Sequence, residues 1–405
     1  MEDILKAQGN TVMQENPLSP LLVSITKRKI PKQKVPKEKL AFGGAFTDHM
    51  LVIDWVGPAI SGKTDSLNQP IPSFSGWGQP RILPYGPLEL SPSCNVFHYG
   101  VEVFEGMKAY KGKDRTIRLF RPLENMKRLL GSARRITLPE FDIMEMLEAI
   151  KKLVLLDSNW IPEGRGYSLY IRPTIISTQD TLGVGTTNRA LAFAICSPVG
   201  PYYSTGFKAV SLKAETDFVR ANYAPGIFPQ LLANTEGFQQ VLWMMGKDEM
   251  QVMEVGTMNL FCFWVNGEKG TLELVTPILD GTILPGITRS SIIELVKSMP
   301  KILGQGDSIY VVERPLYMRE ISMAVKDGRM REMFGSGTAA IISPIKSISW
   351  LNPATESHEL LTLPLDPMDP SQESGPLARA LLKTIYDIQY GDLQFKDWSV
   401  VIGNY

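Results

Sequence analysis

The sequence predicts a two-domain protein of mixed α/β (α+β) class with a cleft between its halves. Three observations point there. Strand-length apolar runs alternate with stretches of helical periodicity along most of the chain. A dense cluster of chain breakers, Pro198-Val199-Gly200-Pro201 followed by Tyr202 to Gly206, interrupts the pattern near the middle. A length of 405 residues suits two ordinary domains or one large one. The expected division is an N-terminal arm over 1–40, a smaller α/β domain over 41–198, a linker over 199–206 and a larger domain over 207–405.

Residues 27–39 carry seven basic side chains broken by Pro31 and Pro36. Proline forbids a regular helix there, so the segment reads as a solvated, partly extended arm. The alternative, a nuclear-import or nucleic-acid patch, sits badly with a chain in which 42 Lys+Arg balance 42 Asp+Glu. Ile117–Phe120 reads as a strand. Leu123, Met126, Leu130 and Ala133 recur at helical spacing, and so do Met144, Leu147, Ile150 and Val154. Tyr167–Arg172 and Leu191–Cys196 read as strands. Beyond the breakers, Val252–Val255 and Leu260–Val265 are strand-like. Thr288 to Met299 is expected to be a helix with Thr288 as its cap. Residues 351–374, rich in Pro, Ser and acids, read as a loop, and Pro376 to Tyr390 as a closing helix ended by Gly391. No internal repeat is visible, which excludes a solenoid.

Three cysteines, none in a C-x-x-C pair, cannot build a disulfide framework, so a reducing compartment is expected. Three widely spaced histidines offer no zinc-ligand spacing, and no metal is expected. No run reaches the ~18 apolar residues of a membrane span. Early acids at the N-terminus read against a secretory signal or a transit peptide, and the expected location is cytoplasmic.

Two segments suit a phosphate. Leu284-Pro285-Gly286-Ile287-Thr288-Arg289 opens a predicted helix, whose first N–H groups and dipole favour an anion. Gly335-Ser336-Gly337-Thr338 is small enough for backbone N–H groups to approach one. Taken alone, each is more simply a capped helix and a tight loop. No nucleotide-triphosphate loop and no dinucleotide fingerprint accompanies them. Glu254 lies between two apolar strand-like runs, where a carboxylate needs a cationic or protonated partner: an arginine, or a ring nitrogen. Tyr170 and Arg172, two apart on a strand, share a face and suit a carboxylate, unless they are a surface pair on an edge strand.

Together these fragments resemble the eukaryotic branched-chain amino-acid aminotransferases, of the fold-type IV group of pyridoxal-phosphate (PLP) enzymes. The resemblance rests on Phe42–Met50, His98-Tyr99-Gly100-Val101-Glu102-Val103-Phe104-Glu105-Gly106-Met107-Lys108-Ala109-Tyr110, Asn125-Met126-Lys127-Arg128, Tyr170–Thr174, Glu254–Asn259, Leu284–Arg289, Arg331–Thr338 and Asp387–Gly391, in that order, across roughly 20–400. It implies a homodimer of two-domain subunits with pyridoxal 5′-phosphate between the domains. It assigns Arg128, Ile287, Thr288 and Thr338 to the phosphate, with Leu284 at the same turn. Glu254 would pair with the pyridine nitrogen, Tyr223 with the ring hydroxyl, and Thr257 would lie near the ring. Phe42, Tyr99, Phe104, Tyr170 and Ala339 would form the side-chain pocket, with Arg172 at its rim, an apolar setting for Leu, Ile and Val. The implied partners are branched-chain amino acids and 2-oxoglutarate/glutamate, with no nucleic acid and no membrane.

One stretch departs from the family pattern. The resemblance implies a Gly-rich turn and a lysine just before Asn222-Tyr223, the lysine that joins the cofactor covalently and moves the substrate proton. Here Val219-Arg220-Ala221 runs directly into Asn222-Tyr223, and Phe218 stands where the lysine is expected. About a dozen residues are missing, ~40 Å of extended chain. No intact catalytic residue is therefore assigned. Lys208 and Lys213 match the preceding strand and would need a register shift to substitute. Three explanations stay open: a gene model that skipped a coding piece, a catalytically silent paralogue that binds PLP or an active partner subunit, and a displaced lysine. A transaminase serving a specialised metabolite pathway is a further alternative. The Ala339–Pro344 segment also lacks the C-x-x-C redox pair of some vertebrate members.

Overall fold

A computed structural model describes residues 22–201, 207–215, 217–218, 226–246, 250–304, 308–369 and 371–405. The chain forms two compact units, one ending at Val199 and rejoined by Val400–Tyr405, the other spanning Gly200–Ser399.

The first unit is built on β1 (Ser24–Ile25), β2 (His49–Val56), β3 (Gly76–Trp77), β4 (Arg81–Pro84), α1 (Asn95–Tyr99), β5 (Glu102–Phe104), β6 (Met107–Lys111), β7 (Thr116–Phe120), α2 (Pro122–Arg135), α3 (Ile143–Leu156), β8 (Ser168–Ser177) and β9 (Arg189–Val199). The sheet runs β1-β4-β2-β9-β8-β6-β7, with β3 on β2 and β5 on β8. Antiparallel β8 and β9 pair residue for residue from Ser168↔Val199 to Ser177↔Ala190. Helices α2 and α3 bury Leu129, Ala133, Leu147 and Ile150 among Leu51, Ile53, Leu169 and Ile171 of the sheet. Proline at the first turn of α2 fits its missing N–H. The Asp142 carboxylate caps α3, accepting from Met144 N at 2.8 Å and Glu145 N at 3.0 Å.

The basic arm is extended, as its prolines require, and mostly exposed, with Arg28 and Lys32 tying it to the first unit. β1 runs parallel to β4. Arg28 N donates to His49 Nε2 at 2.9 Å, and Lys32 N to Asp48 Oδ1 at 2.7 Å. Lys32 Nζ lies 3.9 Å from the centre of the Tyr85 ring. Residues 1–21 of the expected arm lie outside the described residues.

The second unit contains β10 (Val210–Glu215), α4 (Ile227–Thr235), β11 (Gln240–Met245), β12 (Gln251–Val255), β13 (Met258–Val265), β14 (Leu272–Thr276), α5 (Ile287–Ser298), β15 (Ile309–Glu313), α6 (Met318–Lys326), β16 (Met330–Gly337), β17 (Ile341–Asn352), β18 (Ser357–Thr362) and α7 (Pro376–Tyr390). Its strands run β12-β11-β10-β17-β16-β13, and a further pairing of β12 with β13 closes them into a ring. β14 and β15 extend from β13, and β18 from β17. Leu212, Val252, Leu260, Cys262, Ile345 and Ile348 are among the buried side chains of this unit's core. The last strand, β19 (Ser399–Asn404), pairs with β7 of the first unit.

Four expectations are corrected. Residues 400–405 belong to the first unit, not to the larger second domain, because β19 completes the open edge of β7. The segment 351–374 is not wholly a loop: β17 reaches Asn352, and Ser357–Thr362 pairs back on it. Thr288 does not cap α5, since Gly286 is the capping residue and Thr288 lies inside the first turn. Gly335–Gly337 is the end of β16 rather than a loop, and only Thr338 enters the turn that follows. Of the expected linker, Val199 ends β9 and residues 202–206 lie outside the described residues.

Candidate active site

In the second unit, the hairpin joining β12 to β13 and the entry to α5 meet around Glu254. Glu254 and Asn259 are paired across the hairpin and both are buried. Asn259 Nδ2 donates to the Leu284 carbonyl at 2.9 Å and reaches Glu254 Oε1 at 3.5 Å. Leu284 N reaches the same carboxylate oxygen at 3.4 Å. Gly286 is required at the turn: a Cβ there would lie 2.0 Å from Asn259 Oδ1. Glu254 is 5% exposed and lies beside the chain entering α5. Ile287 and Thr288 are buried in the first helical turn, and no side chain caps that turn. Helix geometry leaves the first N–H groups of such a turn without an intrahelical acceptor.

Ser336 of β16 faces Asn259 across the ladder, so the two side chains share one sheet face. Ser336 is fully buried, and its hydroxyl has no partner among the described residues. Gly335 and Gly337 leave room for the Met258 side chain, a packing reason for small residues there. The Thr257 carbonyl lies 3.7 Å from where a Gly337 Cβ would stand, which brings the hairpin tip beside Thr338 and Ala339. A buried carboxylate, uncapped helix N–H groups and an orphan buried hydroxyl, gathered on one face, fit a ligand with a protonated ring nitrogen and a phosphate.

In the first unit, four of the expected pocket residues come together. The Phe42 and Tyr170 rings meet edge to face at 4.8 Å. Arg172 Nη2 donates to the Tyr170 hydroxyl at 2.8 Å, and its guanidinium lies 4.5 Å from the centre of the Phe104 ring. β8 is flanked by β9 on one side and by β6 and β5 on the other, so Tyr170 and Arg172 are not a pair on an edge strand. Tyr99 is held elsewhere: nearly half exposed at the end of α1, its hydroxyl donates to the Leu182 carbonyl at 2.6 Å. Lys108 stands opposite Tyr170 on β6, and its burial pushes the ammonium pKa down to about 7.

Arg128 projects from α2 onto Glu105. Its Nε and Nη2 donate to Oε1 and Oε2 at 2.5 and 2.8 Å, a two-pronged charged pair. Asn125 Nδ2 adds a third bond to Oε2 at 2.8 Å. Glu105, Asn125 and Asn259 carry these clusters without an individual role in the sequence reading, and Ser336 entered it only through the small-residue segment expected to meet a phosphate. Their only signal was membership in motifs quoted for their neighbours.

Tyr223 and Asn222 lie outside the described residues. Phe218, where lysine was expected, is exposed and meets Phe228 edge to face at 5.6 Å. Lys208 lies 3.8 Å from Glu373, and Lys213, fixed in register on β10, pairs with Glu236. No group of three or more His, Cys, Asp or Glu suited to a metal occurs among the described residues. No helix among them is long and apolar enough to cross a membrane.

A family model described as "Amino-transferase class IV" matches residues 102–348. The chain is 48% identical over 377 residues to a branched-chain-amino-acid aminotransferase of Dictyostelium discoideum, covering 90% of each chain. It is 44% identical over 399 residues to the cytosolic branched-chain-amino-acid aminotransferase of Saccharomyces cerevisiae, covering 95% of this chain and 98% of that one. Among solved structures, a branched-chain aminotransferase of Thermoproteus uzoniensis with norvaline superposes with a TM-score of 0.62 at 22% identity, over 80% of this chain and 97% of that one. That last likeness establishes the fold.

Proposed function

Because the chain belongs to the class IV aminotransferases, we propose that it exchanges amino groups between Leu, Ile or Val and 2-oxoglutarate, giving branched 2-oxo acids and glutamate. The extent of likeness to branched-chain enzymes, nearly end to end in both sequences, supports the substrate class. Within the structure, one observation carries the reading: the buried Glu254 carboxylate tied through Asn259 to the entry of α5.

The cofactor is pyridoxal 5′-phosphate, which when bound supplies an electron sink for breaking the amino-acid Cα–H bond. Glu254 holds the proton on its ring nitrogen. The N–H groups of Ile287 and Thr288, with the Leu284 turn and Thr338, receive the phosphate, and the orphan Ser336 hydroxyl suits the same anion. By resemblance, Arg128 is assigned to that phosphate as well, Tyr223 to the ring hydroxyl and Thr257 to the ring. Phe42, Phe104 and Tyr170 present an aromatic face for a branched aliphatic side chain, joined in the assignment by Tyr99 and Ala339. Arg172, stacked on Phe104 and bonded to Tyr170, offers a cation at the rim for a carboxylate. The protein acts as a cytoplasmic homodimer in this reading.

The lysine that the resemblance implies just before Asn222 is absent from the sequence, so slow turnover is expected of the chain as encoded. A PLP absorbance titration, followed by a panel of leucine, isoleucine, valine, aspartate and phenylalanine with the lysine segment restored, tests the assignment. Preference for the three branched amino acids supports it; equal rates with aspartate or phenylalanine contradict it.

A further inference from the structure

We propose that Glu105 is a positioning residue: it aims the Arg128 guanidinium as an anion clamp and sets how strongly the protein prefers a phosphate-bearing ligand. The inference rests on the assignment of Arg128 to the cofactor phosphate and deepens it.

Glu105 is the kind of residue that protein interiors exclude unless something holds it. Its side chain is 2% exposed, and Arg128 is 19% exposed. Two of the hydrogen bonds that the carboxylate accepts come from Arg128, and the other donors hold the carboxylate itself in place. Arg128 donates through its Nε and Nη2 edge at 2.5 and 2.8 Å. Asn125, one turn earlier on α2, donates at 2.8 Å, and Gly106 N at 3.1 Å. Asn125 Nδ2 also reaches the Gly106 carbonyl at 3.0 Å, which ties the helix to the turn between β5 and β6. A two-pronged pair sets the guanidinium plane as well as its position, because a planar fork on a planar carboxylate has one favoured orientation. An arginine on a solvated helix face has no such constraint, and ordering it on binding would cost side-chain entropy.

The same turn reaches the aromatic face. A Cβ on Gly106 would lie 2.1 Å from the Tyr170 hydroxyl, the group that accepts from Arg172. Glu105 and Gly106 thus connect Arg128, assigned to the phosphate, with Tyr170 and Arg172, assigned to the substrate. A bare negative charge beside an anion site would weaken anion binding. Positioning and charge therefore predict opposite signs when Glu105 is neutralised.

The experiment compares PLP with pyridoxal, the same ring without phosphate, by the absorbance change on binding to the full chain. Wild type is expected to bind PLP at least ~10²-fold more tightly than pyridoxal, the scale of charge-assisted contacts. Arg128→Met should remove most of that preference. Glu105→Gln should lower it ~10-fold in wild type and not at all in the Arg128→Met background, the non-additivity expected of a residue acting through another. Glu105→Asp, which keeps the charge and loses reach, should also lower it. Unchanged pyridoxal binding in each variant separates the effect from general unfolding, which would weaken both ligands. A preference that rises in Glu105→Gln, or stays at the wild-type value in both Glu105 variants while Arg128→Met abolishes it, overturns the inference. A preference that survives Arg128→Met overturns the assignment of Arg128 itself.

Discussion

Each unit buries a glutamate, Glu105 in the first and Glu254 in the second, and the described contacts of the two differ. Glu105 accepts four hydrogen bonds, three of them between 2.5 and 2.8 Å, from a cation, a side-chain amide and the backbone. The Glu254 contacts to Asn259 and Leu284 are 3.5 and 3.4 Å, at the outer limit of a hydrogen bond. Burial alone does not say what a carboxylate is for; the geometry of its donors does. Glu105 fixes a cation within the protein; for Glu254 the proposed role is toward a ligand.

If that distinction is right, the largest effect falls on stability and only at Glu105. Glu105→Ala strands a half-buried guanidinium and should lower unfolding free energy by ~3–5 kcal/mol, whereas Glu254→Gln should stay within ~1 kcal/mol of wild type. Urea unfolding of the cofactor-free protein measures both, and equal losses would erase the difference. Ligand affinity should reverse the order of importance. Glu254→Gln keeps the shape but gives up the charge, and PLP affinity should fall ~10–10²-fold. An unchanged dissociation constant would mean that the ring nitrogen is held elsewhere.

Stability against pH should show each unit separately. Burial raises Glu332, on β16, to about 7, although Leu377 N and Ala378 N donate to it at 2.7 and 2.9 Å. Between its ordinary 4.5 and 7 the folded state holds the extra proton, so stability falls as pH rises through that window. Lys108, lowered from 10.5 to about 7, has the opposite sign: the unfolded chain holds the extra proton, and stability rises from pH 7 toward 10.5. Each slope is at most ~1.4 kcal/mol per pH unit. Glu332→Gln should flatten the first limb and Lys108→Met the second, measured as melting temperature across pH 5 to 10. The smallest effect is expected at Ser336. Ser336→Ala removes a buried hydroxyl with no partner among the described residues and should change cofactor-free stability by less than ~1 kcal/mol, while weakening PLP binding a few-fold. A large loss of stability would show that the hydroxyl already has a protein partner.

How much of this was legible in the sequence depended on whether the signal was local. Helix Pro376–Tyr390 is found to the residue, because proline at its first turn and Gly391 beyond its last are local marks. The cap of α5 is misplaced by two residues, since Gly286 leaves no side-chain signature and Thr288 does. The strand Ser357–Thr362 is hidden inside a polar stretch, because an edge strand has one solvated side and Ser, His and Glu are tolerated there. β1 is hidden by the charges and prolines that follow it. β19 reads as part of the second domain because its partner, β7, lies almost 300 residues earlier, and pairing across that distance leaves no local trace. The site followed the same rule. Glu254, Thr288, Tyr170 and Arg172 stood out by residue type in an apolar setting. Glu105 gains meaning only from Arg128, 23 residues away, and Asn259 only from Leu284, 25 residues away.

In the proposed reading the chain keeps the groups that bind a branched-chain transaminase's cofactor and substrate, and the lysine that the resemblance implies before Asn222 is absent. The most direct test of that reading is the rate of leucine plus 2-oxoglutarate with added PLP, for the chain as encoded and for the chain with a family-like lysine segment inserted between Ala221 and Asn222. The account predicts a rate at least ~10²–10⁴ below ordinary turnover for the first, from loss of acid–base assistance alone. It predicts recovery to ~1–10³ per second for the second. Ordinary turnover by the chain as encoded would contradict it.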